Sequence, residues 1–296
     1  MLRQYIVSMI MLTVTCTAFC MEDDSSVRVL AKEAAIGTVA GAAEVTANSP
    51  LIYFKNAMQQ GHKISMDPKV WYRGYGMNVA AMGPTTAVQI CTDRGLETVV
   101  PGTDLYSKVA RAFTAGALSA AVNGPVELVI RDQQEHNGTA VATCKKVLSG
   151  GGLRAFGRGW AATALREGGF ATGYLVAFPM VEAAIKKSQD AALSNIDDPW
   201  VKAIVSHPAC AYVGAGAATG IAFAVATHPC DTVKTKLQAD YQGALFKNTQ
   251  DVVRTVIAKK GVAGLFAGAS PRAVRAGLAI PLIGTIKKYF SEEKAE

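Results

Sequence analysis

The sequence predicts an all-α membrane protein assembled from three tandem repeats, and three observations carry that prediction. The first is a ladder of residues at fixed intervals. Gly41, Pro50 and Gln59 stand nine residues apart, as do Gly116, Pro125 and Gln134, and again Gly220, Pro229 and Gln238. A small residue also lies four positions before each ladder glycine: Gly37, Ala112 and Gly216. Repetition at a fixed period is read before local propensity, because it sets the architecture. The second observation is a downstream signal. Tyr72-Arg73-Gly74, Gly157-Arg158-Gly159 and Ala267-Gly268 each open another apolar segment. The third is composition: 50% of the residues are apolar and 18% are charged, against about a quarter charged in ordinary soluble domains. Each repeat therefore reads as apolar helix, proline with charges, polar connection, glycine, apolar helix.

No stretch of 20 residues is purely apolar, so a plain hydropathy scan undercalls spans here. A bundle around a watery cavity needs only one lipid-facing side per helix, and mixed segments follow from that. The 28 glycines suit helices that approach closely in lipid. A net charge of +7 favours anionic headgroups or anionic solutes. The basic residues are scattered and form no stripe, which argues against nucleic acid. The six cysteines show neither metal-ligand spacing nor histidine partners, so they are read as small buried hydrophobes. No nucleophile–base pair, metal cluster or phosphate-cradling loop occurs. The chain is expected to be no enzyme and to carry no metal or cofactor.

Taken in order, residues 1–28 stand outside the repeat. Arg3, an apolar run from Tyr5 to Phe19 and the acidic Glu22-Asp23-Asp24 have the anatomy of a secretory signal, too short to span comfortably. A start at Met21, leaving a polar tail, is the competing reading. Repeat one covers 29–100. Its first helix runs from about Val29 to Gln59 and contains Glu44. A charge at the membrane centre costs ~2.5–3.5 kcal/mol on insertion scales and signals function, unless it pairs with a base on a neighbouring helix. Pro50 and Gly74 are only 24 residues apart, against 39 from Pro229 to Gly268, so the intervening surface helix is shortened or missing. The second helix runs from Gly74 to about Leu96 with a kink at Pro84.

Repeat two covers 101–195. A helix from about Leu105 to Gln134 is followed by the sequon Asn137-Gly-Thr139, read as chance, and a surface helix near 140–150 ending in Gly150-Gly-Gly152. The next helix runs from Gly159 to about Lys187 and holds Arg166-Glu167. Repeat three covers 196–291, with helices at Pro199–Gln238, about 248–259 and Gly268 to Phe290. Residues 292–296 form an acidic tail. Within the third proline segment, Pro229 ends or kinks an apolar helix, and Asp231 and Lys234, at i and i+3, share one helical face.

Pro229-Cys-Asp231-Thr-Val-Lys234-Thr-Lys236-Leu-Gln238 resembles the signature of the mitochondrial carrier family: Pro-x-[Asp/Glu]-x-x-[Lys/Arg]-x-[Lys/Arg], with Gln two residues on. The third copy matches in full, the first two are degenerate, and the resemblance covers roughly residues 30 to 291. It implies six transmembrane helices with threefold pseudo-symmetry, and three proline motifs meeting at the matrix side of a central cavity.

In that family each copy's acid pairs with the next copy's base. Here the acid positions are Ile52, Glu127 and Asp231, and the base positions are Lys55, Ile130 and Lys234. The cyclic pairing joins Glu127 to Lys234, Asp231 to Lys55 and Ile52 to Ile130, so the missing acid and the missing base are partners. Removing both halves of a buried pair can be nearly neutral, while removing one costs ~3–5 kcal/mol. Gln59, Gln134 and Gln238 occupy the family's bracing position. At the other end the resemblance calls for acids where this chain has Arg94, Pro179 and Lys288, with acids only further on at Glu97, Glu182 and Glu292. A gate at that end is not recognisable.

Substrate contacts implied by the resemblance lie seven residues after the repeat glycines: Ala81, Arg166 with its neighbour Glu167, and Arg275, with Arg272 one turn before. Arginines suit carboxylate or phosphate. For Arg275 the competing reading is an ion pair within the bundle, with Glu167 or Glu44. The Arg-Glu pair resembles carriers of zwitterionic metabolites, and Leu165-Arg-Glu and Leu265-Phe-Ala-Gly-x-x-Pro271-Arg272 are similar to the S-adenosylmethionine carrier.

The expected function is thus transport of a small charged metabolite by alternating access, an antiport of the solute-carrier kind, with an amino-acid-like substrate favoured. The alternatives are adenine nucleotide transport, as by a bacterial effector acting in host mitochondria, and a degenerate carrier kept as adaptor or channel. The resemblance also implies a multi-pass monomer in the mitochondrial inner membrane, with anionic lipid such as cardiolipin bound at Gly152, Gly261 and helix N-termini.

Overall fold

The computed structural model describes residues 24–61, 63–136, 138–193 and 198–292. The signal-like segment through Met21, Asn137 of the sequon and the tail beyond Glu292 lie outside the described residues. Those described form helices and short connections, with no strand among them. Helix α1 spans Asp24–Gln60, and α2 is a single turn, Pro68–Trp71. Then come α3 (Tyr75–Val99), α4 (Leu105–His136) and α5 (Ala140–Phe156). Helix α6 (Trp160–Thr172) runs through a π turn, Gly173–Ala177, into α7 (Phe178–Leu193). The third long rod divides into α8 (Pro199–Ser206), α9 (Pro208–Ala226) and α10 (His228–Ala239). Helix α11 (Thr249–Lys260), a 3-10 turn and α12 (Ala269–Glu292) complete the chain.

Most boundaries fall within a few residues of those read from the sequence. The first surface helix is indeed reduced, to four residues. The rod from Pro199 to Gln238 is the main departure, since it is broken twice. His207 stands extended before Pro208, and Thr227 (φ −91°, ψ 1°) leaves the helix before His228-Pro229 restarts it. Proline fits the first turn of a helix, where its missing N–H is no loss. Pro50, Pro84 and Pro125 are instead carried inside continuous helices. The second surface helix breaks at its glycine run, as read from the sequence: Gly152 is non-helical (φ 62°, ψ −164°), and a further turn beyond it reaches Phe156.

The long helices pack in cyclic order: α1 on α3, α3 on α4, α4 on α6, α7 on α9, α9 on α12, and α12 back on α1. Two recurring glycine contacts set this order. Gly74, Gly159 and Gly268, at φ 81°, 74° and 79°, each start the second long helix of a repeat in the left-handed region that glycine occupies without penalty. A Cβ on these residues would meet Ile130, Lys234 and Lys55 respectively, which are the base positions of the neighbouring repeat. The ladder glycines make the second contact. A Cβ on Gly41 would lie 2.7 Å from Met82 Sδ, on Gly116 2.5 Å from the Glu167 carbonyl oxygen, and on Gly220 2.3 Å from that of Ala276. In repeats two and three the two long helices meet there backbone to backbone, and in repeat one the Met82 side chain packs onto Gly41, the usual role of small residues in lipid.

Burial is inverted relative to a water-soluble core. Leu165, Val213, Ile221, Val274 and Leu278 face outward, while Glu44, Lys55, Asp231, Lys234, Arg131, Arg166 and Arg272 are buried. Among the described residues, three helical segments are long and apolar enough to cross a membrane: Leu105–His136, Trp160–Ala191 and Ala209–Ala226. The reading of the cysteines as uniformly buried needs correction: of the four described, Cys91 is buried, Cys144 and Cys230 are half-buried and Cys210 is exposed. Cys210 stands near the start of α9, on an outer face where its small apolar side chain costs nothing against lipid.

Candidate functional site: a charged cavity closed at its proline end

A cavity of about 560 Å³ runs up the centre of the bundle. Its lining includes Ile52, Lys55, Glu127 and Ile130 near the proline end, then Glu44, Arg166, Glu167, Arg272 and Arg275, and finally Asp93 and Glu97. The last two are 47% and 65% exposed, whereas Asp231 and Lys234 are wholly buried. The cavity is therefore open at the end of α3 and closed at the prolines.

The closure is an ion network. Lys234 pairs with Glu127, and Lys55 lies 3.1 Å from Asp231, so both cyclic pairs drawn from the sequence are in contact. Ile52 and Ile130 are buried and line the same end. Gln59 donates from Nε2 to Asp231 Oδ2 at 2.9 Å. Gln238 donates to the Gly124 carbonyl at 3.0 Å, and Gln134 accepts from Asn56 at 2.7 Å. Only Gln59 thus touches an ion pair directly. A buried pair survives where further hydrogen bonds satisfy its remaining atoms, and Asp231 has them from Gln59 and Arg166.

Arg166 is a member of this network. Its Nη2 lies 2.8 Å from Glu127 Oε1 and contacts Glu167, and its Nη1 lies 3.3 Å from Asp231 Oδ1. The sequence separates a substrate arginine from the gate positions; in the structure Arg166 lines the cavity and also contacts the acids Glu127 and Asp231. The guanidinium stem is long enough to reach down the cavity from α6, a span that residue counting does not convey.

Ala81 is placed differently from expectation. It is buried and does not line the cavity, which on α3 is bordered by Asn78, Met82 and Thr85. Its methyl group is too short to reach past those neighbours. Arg275 lines the cavity, yet it is also paired. Its Nε and Nη2 reach Glu44 Oε1 and Oε2 at 2.9 and 3.2 Å, so the bundle ion pair with Glu44 is the arrangement adopted. Arg272, 7% exposed, donates from Nη2 to Thr227 Oγ1 at 2.7 Å. Its Nη1 has no partner, and among the described residues no carboxylate lies within salt-bridge distance of it. Glu167 accepts at Oε1 from Arg166 and from Asn123 Nδ2 (3.3 Å), and Oε2 has no hydrogen bond among the described residues.

Sequence reasoning missed two features. Thr85 donates to Asn123 at 2.8 Å and Gln89 to Ser119 at 3.2 Å, which makes a neutral polar wall on α3 and α4. Arg131 is buried beside the gate and bonded to Thr235 and Gln238. Polar residues at helical spacing on α3 were a signal for the first, and a charge one place from the vacant base position for the second. At the open end Arg111 lies 3.9 and 3.4 Å from Asp93 and Glu97, and Lys186 lies 2.5 Å from Glu182 on its own helix. The first contact joins repeats one and two, and the second lies within repeat two. The side chains of Lys288 and Glu292 lie outside the described residues.

Residues 206–293 match the family model described as mitochondrial carrier protein, which is the repeat whose motif is complete. Similarity to individual carriers runs further. The chain is 26% identical over 281 residues to a probable S-adenosylmethionine carrier of Arabidopsis thaliana, named chloroplastic, covering 89% of this chain and 75% of that one. It is 29% identical over 276 residues to mitochondrial substrate carrier family protein Z of Dictyostelium discoideum, covering 82% and 86%. To a glutamate/glycine mitochondrial carrier of Schizosaccharomyces pombe it is 27% identical over 237 residues, covering 75% and 76%. With a complete signature in its third repeat and carriers as relatives along most of its length, the chain is similar to mitochondrial carriers and matches their family model over residues 206–293.

Proposed function

We propose that the protein carries small amino-acid-like, zwitterionic metabolites across a membrane by alternating access, with the cavity as substrate site and the proline-end network as gate. The observation that carries this reading is the pair of unused polar groups in the cavity: Nη1 of Arg272 and Oε2 of Glu167. A buried guanidinium nitrogen without a hydrogen-bond partner is a seat for carboxylate, and an open carboxylate oxygen is a seat for ammonium. Three repeats, at 29–100, 101–195 and 196–291, would supply six transmembrane helices with threefold pseudo-symmetry. The cyclic packing and the two recurring glycine contacts support that arrangement. The solutes named for two relatives, S-adenosylmethionine for one and glutamate and glycine for the other, share one chemical feature, an α-amino acid head. Arg166 would couple site to gate, because a substrate anion that draws it upward weakens its hold on Glu127 and Asp231. The inner membrane of mitochondria is the location this reading implies.

The test is substrate competition in two single variants. Glu167→Gln removes the ammonium's counter-charge and should weaken an amino acid about tenfold or more, since charged hydrogen bonds contribute ~1.5–3 kcal/mol. Arg272→Met should weaken amino acids and dicarboxylates alike. A nucleotide substrate would instead be unaffected or helped by Glu167→Gln, and that result would replace the zwitterion reading by nucleotide transport.

A further inference from the structure

The chain lacks the third ion pair of its gate, and the structure assigns that work to Arg131, a positioning residue one place beyond the vacant base position Ile130. This inference rests on the proline-end network being the gate. Arg131 is 4% exposed on α4 and has no carboxylate within salt-bridge distance among the described residues. It crosses to α10, where Nη1 donates to the Thr235 carbonyl at 3.0 Å and to Gln238 Oε1 at 2.9 Å, and Nη2 donates to Thr235 Oγ1 at 3.2 Å.

The contact does not end there. The Thr235 hydroxyl, having accepted from Arg131, has two acceptors in reach of its one proton, Gln59 Oε1 on α1 at 2.7 Å and the Asp231 carbonyl on its own helix at 2.8 Å. Gln59 Nε2 in turn donates to Asp231 Oδ2, the same carboxylate oxygen that Lys55 approaches. A donor–acceptor relay thus runs from α4 through α10 to α1 and returns to α10. An Ile52–Ile130 ion pair would have tied α1 to α4 directly, and the relay makes the same tie through Thr235. Every member is nearly shielded from solvent: Thr235 is 0%, Gln238 2%, Gln59 3% and Arg131 4% exposed. Water is therefore poorly placed to replace a lost donor, and a guanidinium bonded to three neutral acceptors holds them in one geometry.

Arg131 therefore fixes the Thr235 hydroxyl, which holds Gln59 against Asp231, and the gate stays closed with two ion pairs. The experiment is amide hydrogen exchange read by mass spectrometry on the full chain in lipid nanodiscs, with no substrate added. Arg131→Met should raise exchange about tenfold or more in peptides covering both 232–239 and 53–60, the second of which Arg131 does not touch. Adding Ile52→Asp with Ile130→Lys should bring both peptides back to within about threefold of the parent, because the direct pair replaces the relay. A residue that merely fills space would not be rescued by a charge pair one place away. Should Arg131→Met fail to fold, Thr235→Val breaks the relay with Arg131 in place. It should show the same two-site loss and the same rescue.

Extra exchange confined to 128–135, or absence of rescue, overturns the inference. Lys55→Met is the control for the gate itself. If Lys55→Met opens 53–60 and 232–239 while Arg131→Met does not, the gate stands and Arg131 is not part of it. If neither opens them, both the gate reading and this inference fall.

Discussion

Arg275 on α12 holds Glu44 on α1 through two parallel hydrogen bonds, Nε to Oε1 at 2.9 Å and Nη2 to Oε2 at 3.2 Å. Glu44 is 3% exposed and is also approached by Asn48 at 3.3 Å. This bidentate pair closes the ring where the last long helix meets the first. Loss of Arg275 strands a buried carboxylate, which costs ~3–5 kcal/mol. Arg275→Ala is therefore expected to lower the unfolding temperature in detergent strongly, and Arg275→Ala with Glu44→Gln to recover most of that loss. Equal destabilisation in the single and double variants would show that the pair is not what holds α12 to α1.

The paired absence at Ile52 and Ile130 makes its own prediction. Both side chains are buried at the closed end of the cavity. Ile52→Asp alone places a carboxylate there with no base opposite and should destabilise by ~3–5 kcal/mol. Ile52→Asp with Ile130→Lys should recover most of it. Thermal unfolding of the two purified variants decides, and an equally unstable double variant would mean that the positions do not face each other.

Close helix approach at the ladder glycines is open to a simple check. On Gly220 a Cβ would fall 2.3 Å from the Ala276 carbonyl oxygen, while on Gly124 it meets nothing within 4 Å. Gly220→Ala forces backbone apart and should cost ~1–3 kcal/mol or more. Gly124→Ala should be neutral or slightly stabilising, as it restricts the unfolded chain. Comparable melting temperatures for the two variants would contradict the packing of α9 on α12 described above.

Much of this was legible before any coordinates. The nine-residue ladder marked the helices, because glycine, proline and glutamine answer to backbone approach, helix entry and bracing, which are local demands. The pairing of Glu127 with Lys234 and of Asp231 with Lys55 could be drawn from the carrier resemblance, since acid and base stand one turn apart at the same end of the bundle. What stayed hidden depended on reach and side-chain size. Arg166 reaches Glu127 and Asp231, Ala81 does not line the cavity, and Arg131 bonds across to Thr235 and Gln238. Breaks at Thr227 and in the π turn at Gly173–Ala177 arise where helix faces must be re-aimed, and insertions of this kind recur at functional sites without a sequence signature.

The central claim is that the cavity reads an ammonium and a carboxylate on one small molecule. Uptake by the purified protein in liposomes tests it most directly, with radiolabelled S-adenosylmethionine, glutamate, glycine, ATP and a dicarboxylate offered separately against the same solute inside. The account predicts saturable exchange of at least one amino-acid-like solute, reduced about tenfold or more by Glu167→Gln, as expected for loss of a charged hydrogen bond. Exchange of ATP or the dicarboxylate alone, unchanged or faster in Glu167→Gln, would contradict it.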